Sequence, residues 1–222
     1  MSFKNRRLGD FPSTNDGTQL YAQSTDSVIK IYSLVSDLEV HFKAFLTDLS
    51  DDFQSTWNSE DVFGRMDPIG TFSGTKRTIS VGWDVPAASL EEAKSNMKAL
   101  KTLTSMLYPG YSGNTVSVDG QEITPANSIS KAPLVRVKFA NLIASAEGDD
   151  SDAKNSGLLG WIDGVNLAPD VGQGFLIEEK IQYPKLYKLS IKLNVLHEHE
   201  LGFDDDGKYI ATESASKWPF GG

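Results

Sequence analysis

The stretch of residues 78–108 constrains the fold most, because it contains a strand, a stop and a helix in direct succession. Its first eight residues (TISVGWDV) alternate between polar and apolar side chains, which is typical of a strand with one buried face. Pro86 ends that alternation, and Ser89 follows with Glu92 three residues later. This spacing is the capping-box pattern, in which the serine hydroxyl accepts from an amide of the first helical turn and the carboxylate accepts from the Ser89 amide. The sequence therefore predicts a strand that leads directly into a helix.

The predicted helix has one apolar stripe, formed by residues that recur at steps of three and four: Leu90, Ala93, Met97, Leu100, Leu103 and Leu107. A helix with one apolar stripe has to pack that stripe against another element. Pro109 ends the helix, since proline disfavours helical geometry in the residue before it. We therefore expect one principal helix, at about 89–108, that lies across a sheet.

Further strands are predicted from their alternation in segments 27–35, 38–46, 134–143, 158–167 and 183–200. Ser36 and Asp37 are expected to form a tight hairpin turn, and the Asp119–Gly120 pair between alternating apolar residues predicts a second hairpin. Strands joined by hairpins and not by repeated crossovers predict a mainly β fold. Its architecture is either two packed antiparallel sheets or a partly closed β-barrel, with the helix on its flank.

The strand at 158–167 is expected to carry one set of residues on a single face: Trp161, Asp163, Val165 and Leu167. Gly160 and Gly164 interrupt this strand. Glycine inside a strand indicates a bulge or the close approach of another backbone.

The remaining segments are predicted to be arms and loops around a single domain of residues 28–203. Residues 1–27 are polar, with too few apolar positions to pack alone, and form an N-terminal arm. Residues 47–64 show no period, and their scattered aromatic side chains predict a long loop with aromatic anchors. Residues 144–157 form a flexible acidic loop, and 204–222 form a C-terminal tail.

Composition excludes several classes of protein. The 222 residues contain no cysteine, which excludes disulfides, thiolate metal sites and cysteine nucleophiles. No run approaches the roughly twenty apolar residues of a membrane span, and no signal peptide is present, so we expect a soluble protein made in a cytoplasm. A net charge of -9 argues against a general nucleic-acid binder but suits a surface that DNA passes without binding.

Six segments carry a resemblance to a known family: GRMDPIGTF at 64–72, RTISVGWDVPAAS at 77–89, LYPGY at 107–111, PLVRVKFANLI at 133–143, GLLGWIDGVNLAPD at 157–170 and YPKLYKLSIKLNVLHEHELGF at 183–203. In this order they resemble tailed-bacteriophage structural proteins of the tail tube or baseplate of contractile tails. The resemblance covers most of residues 38–203 and leaves out both termini and the acidic loop.

The resemblance implies a tail-tube fold, in which two sheets pack into a barrel with a helix on the flank. It implies a hexameric ring of the tail tube, or of the baseplate at the tube base as an initiator or adaptor, through which DNA passes during ejection. The expected partners are further copies of the chain and other tail tube, baseplate or sheath proteins. The resemblance implies a virion protein that is not an enzyme and holds no cofactor.

Four residues are candidates for the subunit interface. Trp57 and Trp218 are predicted as anchors, because buried aromatic residues dominate interfaces, although both could instead pack within one subunit. Arg65 and Asp67 are predicted to form a salt bridge that fixes the loop before the central strand or reaches a neighbour. The alternative is a solvated pair worth less than about 1 kcal/mol.

An enzyme of barrel type with a histidine-ligated metal is a second hypothesis. His197 and His199 lie two residues apart on one predicted strand, so both could bind zinc or iron with His41 from another strand. Because these two histidines continue an apolar row past Val195, strand-end histidines without a metal are the favoured interpretation.

A third hypothesis is a glycan- or peptide-binding β-module of a phage tail. Exposed tryptophans would support it, since sugars stack on aromatic rings. Trp83 and Trp161 are predicted to lie on apolar strand faces, which leaves few tryptophans for a stacking platform.

Overall fold

The computed structural model describes residues 27–112, 116–118, 121–123, 128–145, 152–198 and 200–210. In chain order the elements are β1 (Val28–Ser33), β2 (Leu38–Lys43), β3 (Phe45–Glu60), β4 (Ile69–Pro86), α1 (Leu90–Ser105), β5 (Gly110–Ser112), β6 (Val116–Val118), β7 (Gln121–Ile123), β8 (Ser128–Lys131), β9 (Val135–Phe139), α2 (Ala153–Ser156), β10 (Leu158–Pro169), a 3₁₀ turn (Val171–Gln173), β11 (Phe175–Glu178), β12 (Ile181–Pro184) and β13 (Leu186–Val195). The predicted mainly β fold with one principal helix is confirmed.

Seven strands form one antiparallel sheet in the order β2-β1-β9-β10-β13-β4-β3. The pairs β5-β8, β6-β7 and β11-β12 form separate two-stranded ribbons. The edge strands β2 and β3 follow each other in the chain with only Ala44 between them, and the Ala44 amide donates to the Ser27 carbonyl at 3.1 Å. Both edges of the sheet therefore meet at one point, and the sheet curls around the core without closing into a barrel.

The core lies inside this curl. The Phe42 ring on β2 meets the Trp83 ring on β4 with centroids 5.7 Å apart, although four strands separate β2 from β4 in the sheet. The predicted alternation of β13 is confirmed, because alternate side chains are buried: Tyr187, Leu189, Ile191, Leu193 and Val195. Helix α1 covers the same core with Leu100, Leu103 and Met106.

The predicted cap of α1 is confirmed in part. The Ser89 hydroxyl accepts from the Glu92 amide at 3.2 Å. The Glu92 carboxylate accepts from the Ala88 amide at 2.8 Å and not from the Ser89 amide, which corrects the prediction. Its other oxygen accepts from Lys43 Nζ at 2.9 Å, so the ion pair orients the carboxylate and ties the start of the helix to β2.

The helix ends at Ser105, which is earlier than the predicted boundary near residue 108. Beyond it the amides of Leu107 and Tyr108 donate to carbonyls three residues back, as in a tightened last turn. Met97 was placed in the apolar stripe, but it is exposed, and Met106 is buried in the core instead.

The predicted loop at 47–64 is wrong. Residues 45–60 form β3, which pairs with β4 along its whole length as a long hairpin, and only residues 61–68 connect the two strands. The register shifts between Leu46 and Asp48 and again between Thr56 and Trp57. These irregularities break the alternation by which a strand is recognised.

A register shift between Ile162 and Gly164 corrects the predicted face of β10. Val165 packs against the core, whereas Trp161 is 41% exposed on the opposite face. The inferred close approach at Gly160 is confirmed, because a Cβ there would lie 2.3 Å from the Asn194 carbonyl oxygen.

Several smaller predictions can be compared directly. The hairpin around residues 119–120 is confirmed by the β6-β7 pairing, although the two turn residues lie outside the described residues. The first hairpin has a loop of residues 34–37, wider than predicted, in which Asp37 takes a φ of 54°. Residues 1–26, 146–151 and 211–222 lie outside the described residues, and they include nearly all of the predicted N-terminal arm, six residues of the acidic loop and most of the tail. The described part of the acidic loop is not all loop, because Ala153–Ser156 form α2.

Residues 204–210, the described part of the tail, begin with a tight turn. The Asp204 carboxylate accepts from the amides of Asp206 and Lys208 at 3.0 and 2.7 Å. Within the described ranges no helix is long and apolar enough to cross a membrane.

Candidate interaction surface

A two-stranded arm leaves the main sheet at one end of β4. Pairing between β4 and β13 stops at Thr78, opposite Asn194. From residue 77 back to residue 69, β4 continues beside β3 alone in the described part of the chain. We call residues 53–77 the arm.

An ion pair marks the border between the core and the arm. Arg77 Nε donates to Asp51 Oδ1 at 2.9 Å, and Nη2 donates to Oδ2 at 2.8 Å. The Arg77 side chain is only 5% exposed, next to the buried Ile79 on the same face of β4. Its guanidinium lies 5.4 Å from the centre of the Phe53 ring. Phe53, the first aromatic residue of the arm, therefore contacts the arginine at the end of the core.

An aromatic pair forms the middle of the arm. Trp57 and Phe72 are opposite each other across β3 and β4, with ring centroids 5.2 Å apart. The Trp57 ring also lies over Gly70, where a Cβ would make an ordinary contact with the indole at 3.6 Å. Trp57 is nevertheless 62% exposed. The predicted interface candidate Trp57 thus lies on a surface strand and not in a loop.

The tip of the arm is a turn with apolar side chains in solvent. The Arg65 amide donates to the Val62 carbonyl at 3.2 Å, and Gly64 takes a φ of 90°. Phe63 and Met66 are fully exposed. Arg65 and Asp67 are also exposed, and the described side chains show no ion pair between the two, so their predicted salt bridge to a neighbouring subunit stays a prediction.

Seven large apolar side chains of the arm are exposed: Phe53, Trp57, Val62, Phe63, Met66, Ile69 and Phe72. With about 150–250 Å² for each aromatic side chain and less for the others, they present on the order of 800 Å² to solvent. Apolar side chains concentrated on one exposed element mark an interaction site, whereas single scattered ones are normal on a surface. The arm therefore has the character of an interaction surface.

A second ribbon, β11 and β12, lies at the opposite end of β4, and we call residues 175–184 the end hairpin. Its base is fixed beside the end of β4, because the Ala87 amide donates to the Lys185 carbonyl at 2.8 Å and the Lys185 amide donates to the Gly174 carbonyl at 3.2 Å. Four apolar side chains at this end are exposed: Val171, Phe175, Ile177 and Ile181.

One ionic contact joins the end hairpin to α1, and a second lies beside the hairpin. Lys94 on α1 forms an ion pair with Glu178, and this hydrogen bond raises the pKa of Lys94. Lys188 forms an ion pair with Asp170 at 3.1 Å, and that contact, followed by the Gly172 amide, lowers the pKa of Asp170. The Lys94–Glu178 pair therefore links the end hairpin to α1.

The histidines proposed as metal ligands do not form a site in the described structure. His41 lies on β2, where its Nε2 is 2.5 Å from Glu39 Oε1. His197 follows β13, and β1, β9 and β10 lie between β2 and β13 in the sheet. Within the described ranges no group of three or more metal-ligating side chains comes together, and His199 lies outside them.

The four tryptophans have different surroundings. Trp83 is fully buried, as predicted from its strand face. Trp57 and Trp161 are exposed on different strands, and Trp218 lies outside the described residues. Phe63, Met66 and Phe72 were missed as surface residues, although their concentration around a Gly and a Pro in VFGRMDPIGTF could have indicated an exposed apolar turn.

A comparison with protein-family models gives no match, and no curated protein matches the sequence. The resemblance to phage tail proteins therefore stays a prediction.

Proposed function

We propose that the chain is a structural subunit of a contractile bacteriophage tail. In this proposal its copies form a hexameric ring of the tail tube, or of the baseplate at the tube base, and DNA passes through the ring. The subunit acts by assembly with copies of itself and with other tail proteins, without catalysis.

The exposed apolar surface of the arm is the observation that carries this proposal. Apolar surface favours burial by about 25 cal/mol per Å². A partner that covers a patch of roughly 800 Å² would reach the area that each side of a standard protein interface contributes, about 800 Å². An arm of this kind suits a protein whose stable state is an assembly.

The sheet provides a second supporting observation. A ring requires contacts between two different surfaces of each subunit, repeated until the rotation closes. Strands β2 and β3 are sheet edges, and β3 is 16 residues long. Edges of this length invite pairing with other chains unless a neighbour covers them. A surrounding ring of subunits provides such neighbours.

The charge of the chain agrees with a role as a passage for DNA. Each copy carries a net charge of -9, and the charge adds up over the copies of a ring. Long-range repulsion between like charges disfavours DNA adsorption, whereas clustered lysine and arginine would retain the phosphates.

Measurement of the assembly state tests this proposal. Native mass spectrometry and electron microscopy of the purified protein should show hexamers, or larger species that are multiples of the 24.3 kDa chain. A species that stays monomeric at high concentration and never joins phage tail particles would contradict it.

A matched pair of variants connects the arm to assembly. Replacement of Trp57, Phe63 and Phe72 by serine should shift the population toward monomer by at least tenfold. Replacement of Tyr108, Tyr111 and Ile129 by serine removes a similar amount of exposed apolar surface from the β5-β8 ribbon and should have a smaller effect. Equal effects of both triple variants would mean that the arm has no special part in assembly.

A further inference from the structure

We infer that the arm of one copy docks on the end hairpin of a second copy, so that copies join head to tail along the direction of β4. The inference rests on the proposed function, because it names the surface that receives the arm. It concerns a contact between identical chains.

The two apolar surfaces lie at opposite ends of one strand. The arm begins at Arg77, and the end hairpin is anchored beside Ala87, just past the other end of β4. From Phe72 to Pro86, a strand at about 3.3 Å per residue spans roughly 45 Å. The arm of a chain therefore does not reach the end hairpin of the same chain, and a second copy has to supply it.

The two surfaces also match in chemistry. Around the end hairpin, Glu178 forms an ion pair with Lys94 and Asp170 forms one with Lys188, both within the same chain. The turn residues Glu179 and Lys180 are exposed beside Ile177 and Ile181. On the arm tip, Arg65 and Asp67 are exposed beside Phe63 and Met66.

On both surfaces a positive and a negative side chain thus lie beside exposed apolar side chains. Arg65 can approach Glu179 while Asp67 approaches Lys180, which fixes the direction in which the arm lies on the hairpin. Charge pairs at the rim of an interface set specificity more than affinity.

The exposed apolar areas of the arm and the end hairpin indicate that one contact between them is too small to hold two copies together firmly. The end hairpin exposes about half as much apolar surface as the arm, so a single contact buries on the order of 1,000 Å² in total, which is the lower limit for a specific interface. One such contact is weak. Because each copy offers one arm and one end hairpin, the same contact can be repeated from copy to copy until a ring closes, and each copy of the closed ring is then held by two contacts at once.

The absence of cysteine from the chain allows a direct test by disulfide trapping. A Phe63→Cys variant is mixed with an Ile177→Cys variant under mild oxidation. The expected product is a linked pair of chains at about twice 24.3 kDa, formed at least tenfold faster than with either variant alone. A Phe63→Cys and Ile129→Cys mixture is the matched control, because Ile129 is as exposed as Ile177 but lies on the β5-β8 ribbon.

A double variant that carries both Phe63→Cys and Ile177→Cys tests whether the copies join head to tail. A head-to-tail contact gives a ladder of linked chains of increasing length. Products that stop at two chains would overturn head-to-tail joining. Faster linkage of Phe63→Cys to itself or to Ile129→Cys would overturn the choice of the end hairpin.

Charge reversal tests the orientation of the arm. Arg65→Glu combined with Asp67→Lys should slow the linkage of Phe63→Cys to Ile177→Cys by up to about fivefold, as expected for exposed ion pairs. Glu179→Lys with Lys180→Glu on the other partner should restore the rate. Failure of the second pair to restore it would overturn this orientation.

Failure of the inference can be distinguished from failure of the proposed function. If hexamers form but Phe63→Cys does not link to Ile177→Cys, the inference is wrong and the ring proposal stands. If the protein stays monomeric and no linkage occurs at any concentration, both are wrong.

Discussion

The two halves of β4 share one continuous backbone but have different surroundings. Residues 78–86 pair with β13 on one side, residues 78–84 also pair with β3 on the other, and the inward side chains of this half fill the core. Residues 69–77 pair with β3 alone in the described structure, and their apolar side chains are exposed. Arg77 lies at the border between the two halves.

This difference shows that the same apolar character can serve two purposes along one strand. In the inner half the apolar side chains are buried by the chain's own helix and sheet, so they stabilise the monomer. In the outer half they have little to pack against except each other, so they contribute little to the monomer and remain available for a partner. Substitutions in the two halves should therefore affect different properties.

The largest expected effect separates the two tryptophans. Trp83→Ala should lower the free energy of unfolding by about 3–5 kcal/mol, because it leaves a large cavity in the core. Trp57→Ala should cost less than about 1 kcal/mol, since the indole is mostly exposed and its ring contact is with the exposed Phe72. Urea denaturation of both variants at low protein concentration measures the difference. Similar losses would mean that the arm belongs to the cooperative core.

The ion pair at the border should give the second largest effect. Arg77→Met leaves the Asp51 carboxylate, 11% exposed, without its bidentate partner and should cost about 3 kcal/mol. The double variant Arg77→Met, Asp51→Leu removes both charges and should recover most of this loss. A double-mutant cycle by denaturant unfolding gives the coupling free energy between Arg77 and Asp51. Equal stability of the single variants and the wild type would show that the border is solvated and that the core ends before it.

Two glycines of β4 sharpen the comparison further. Gly82 in the inner half has ordinary backbone geometry, but a Cβ there would lie 3.0 Å from Thr47 Oγ1, so Gly82→Ala should cost about 1 kcal/mol of global stability through crowding. Gly74 in the outer half has open space around it but a φ of 151°, so Gly74→Ala strains the backbone of the arm.

The two alanine variants should therefore change different properties, one the global stability and the other the local stability of the arm. Gly82→Ala should change the midpoint of global unfolding, and Gly74→Ala should mainly raise the hydrogen-exchange rates of arm amides. A lower global midpoint for Gly74→Ala with unchanged exchange in the arm would contradict the separation of the two halves.

The sequence predicted the inner half better than the outer half for a physical reason. A strand with one buried face leaves an alternating pattern, and this pattern identified residues 78–85 and the long alternation of β13. In β3 the residues between Leu49, Phe53 and Trp57 are polar, because the chain itself buries little of that face. The apolar residues themselves are four positions apart, and this spacing does not indicate a strand.

Turns and bulges account for most of the other errors. The end hairpin was missed because its turn residues, Glu179 and Lys180, take φ values of 45° and 71° that are usual for Asn and Gly and not for these residues. The face of Trp161 was mistaken because a bulge reverses the alternation. Trp57 is an interface candidate for its aromatic character alone, and no local sequence pattern predicts that it lies opposite Phe72.

The smallest expected effect concerns an exposed contact that is ionic and not apolar, at the turn between β1 and β2. The Asp37 carboxylate accepts from the Tyr32 hydroxyl at 2.5 Å and from Lys154 Nζ at 2.9 Å. The hydrogen bond from Tyr32, followed by that from Lys154, lowers the pKa of Asp37. Burial, followed by the contact with Asp37, raises the pKa of Tyr32, and the hydrogen bond to Asp37 raises the pKa of Lys154.

These directions set the pH dependence. The contribution of Asp37 is present above its ordinary pKa of 3.8 and is lost as the pH falls through its lower value in the folded protein. The contributions of Tyr32 and Lys154 are present below 10.0 and 10.5 and are lost as the pH rises through their higher folded values. The cluster should therefore stabilise the protein across the neutral range.

Asp37→Asn isolates this charge, because asparagine also tolerates the φ of 54° at this position. At pH 7 the variant should melt a few degrees lower at most, as expected for an exposed ionic contact. The difference in melting temperature from the wild type should narrow below pH 3.8 and again above pH 10.5. Thermal melts across the pH range measure this difference. If the difference in melting temperature stays constant with pH, the Asp37 carboxylate stabilises the turn through packing and not through its charge. The ionic turn and the apolar arm would then be more alike in how they affect stability than their side-chain chemistry indicates.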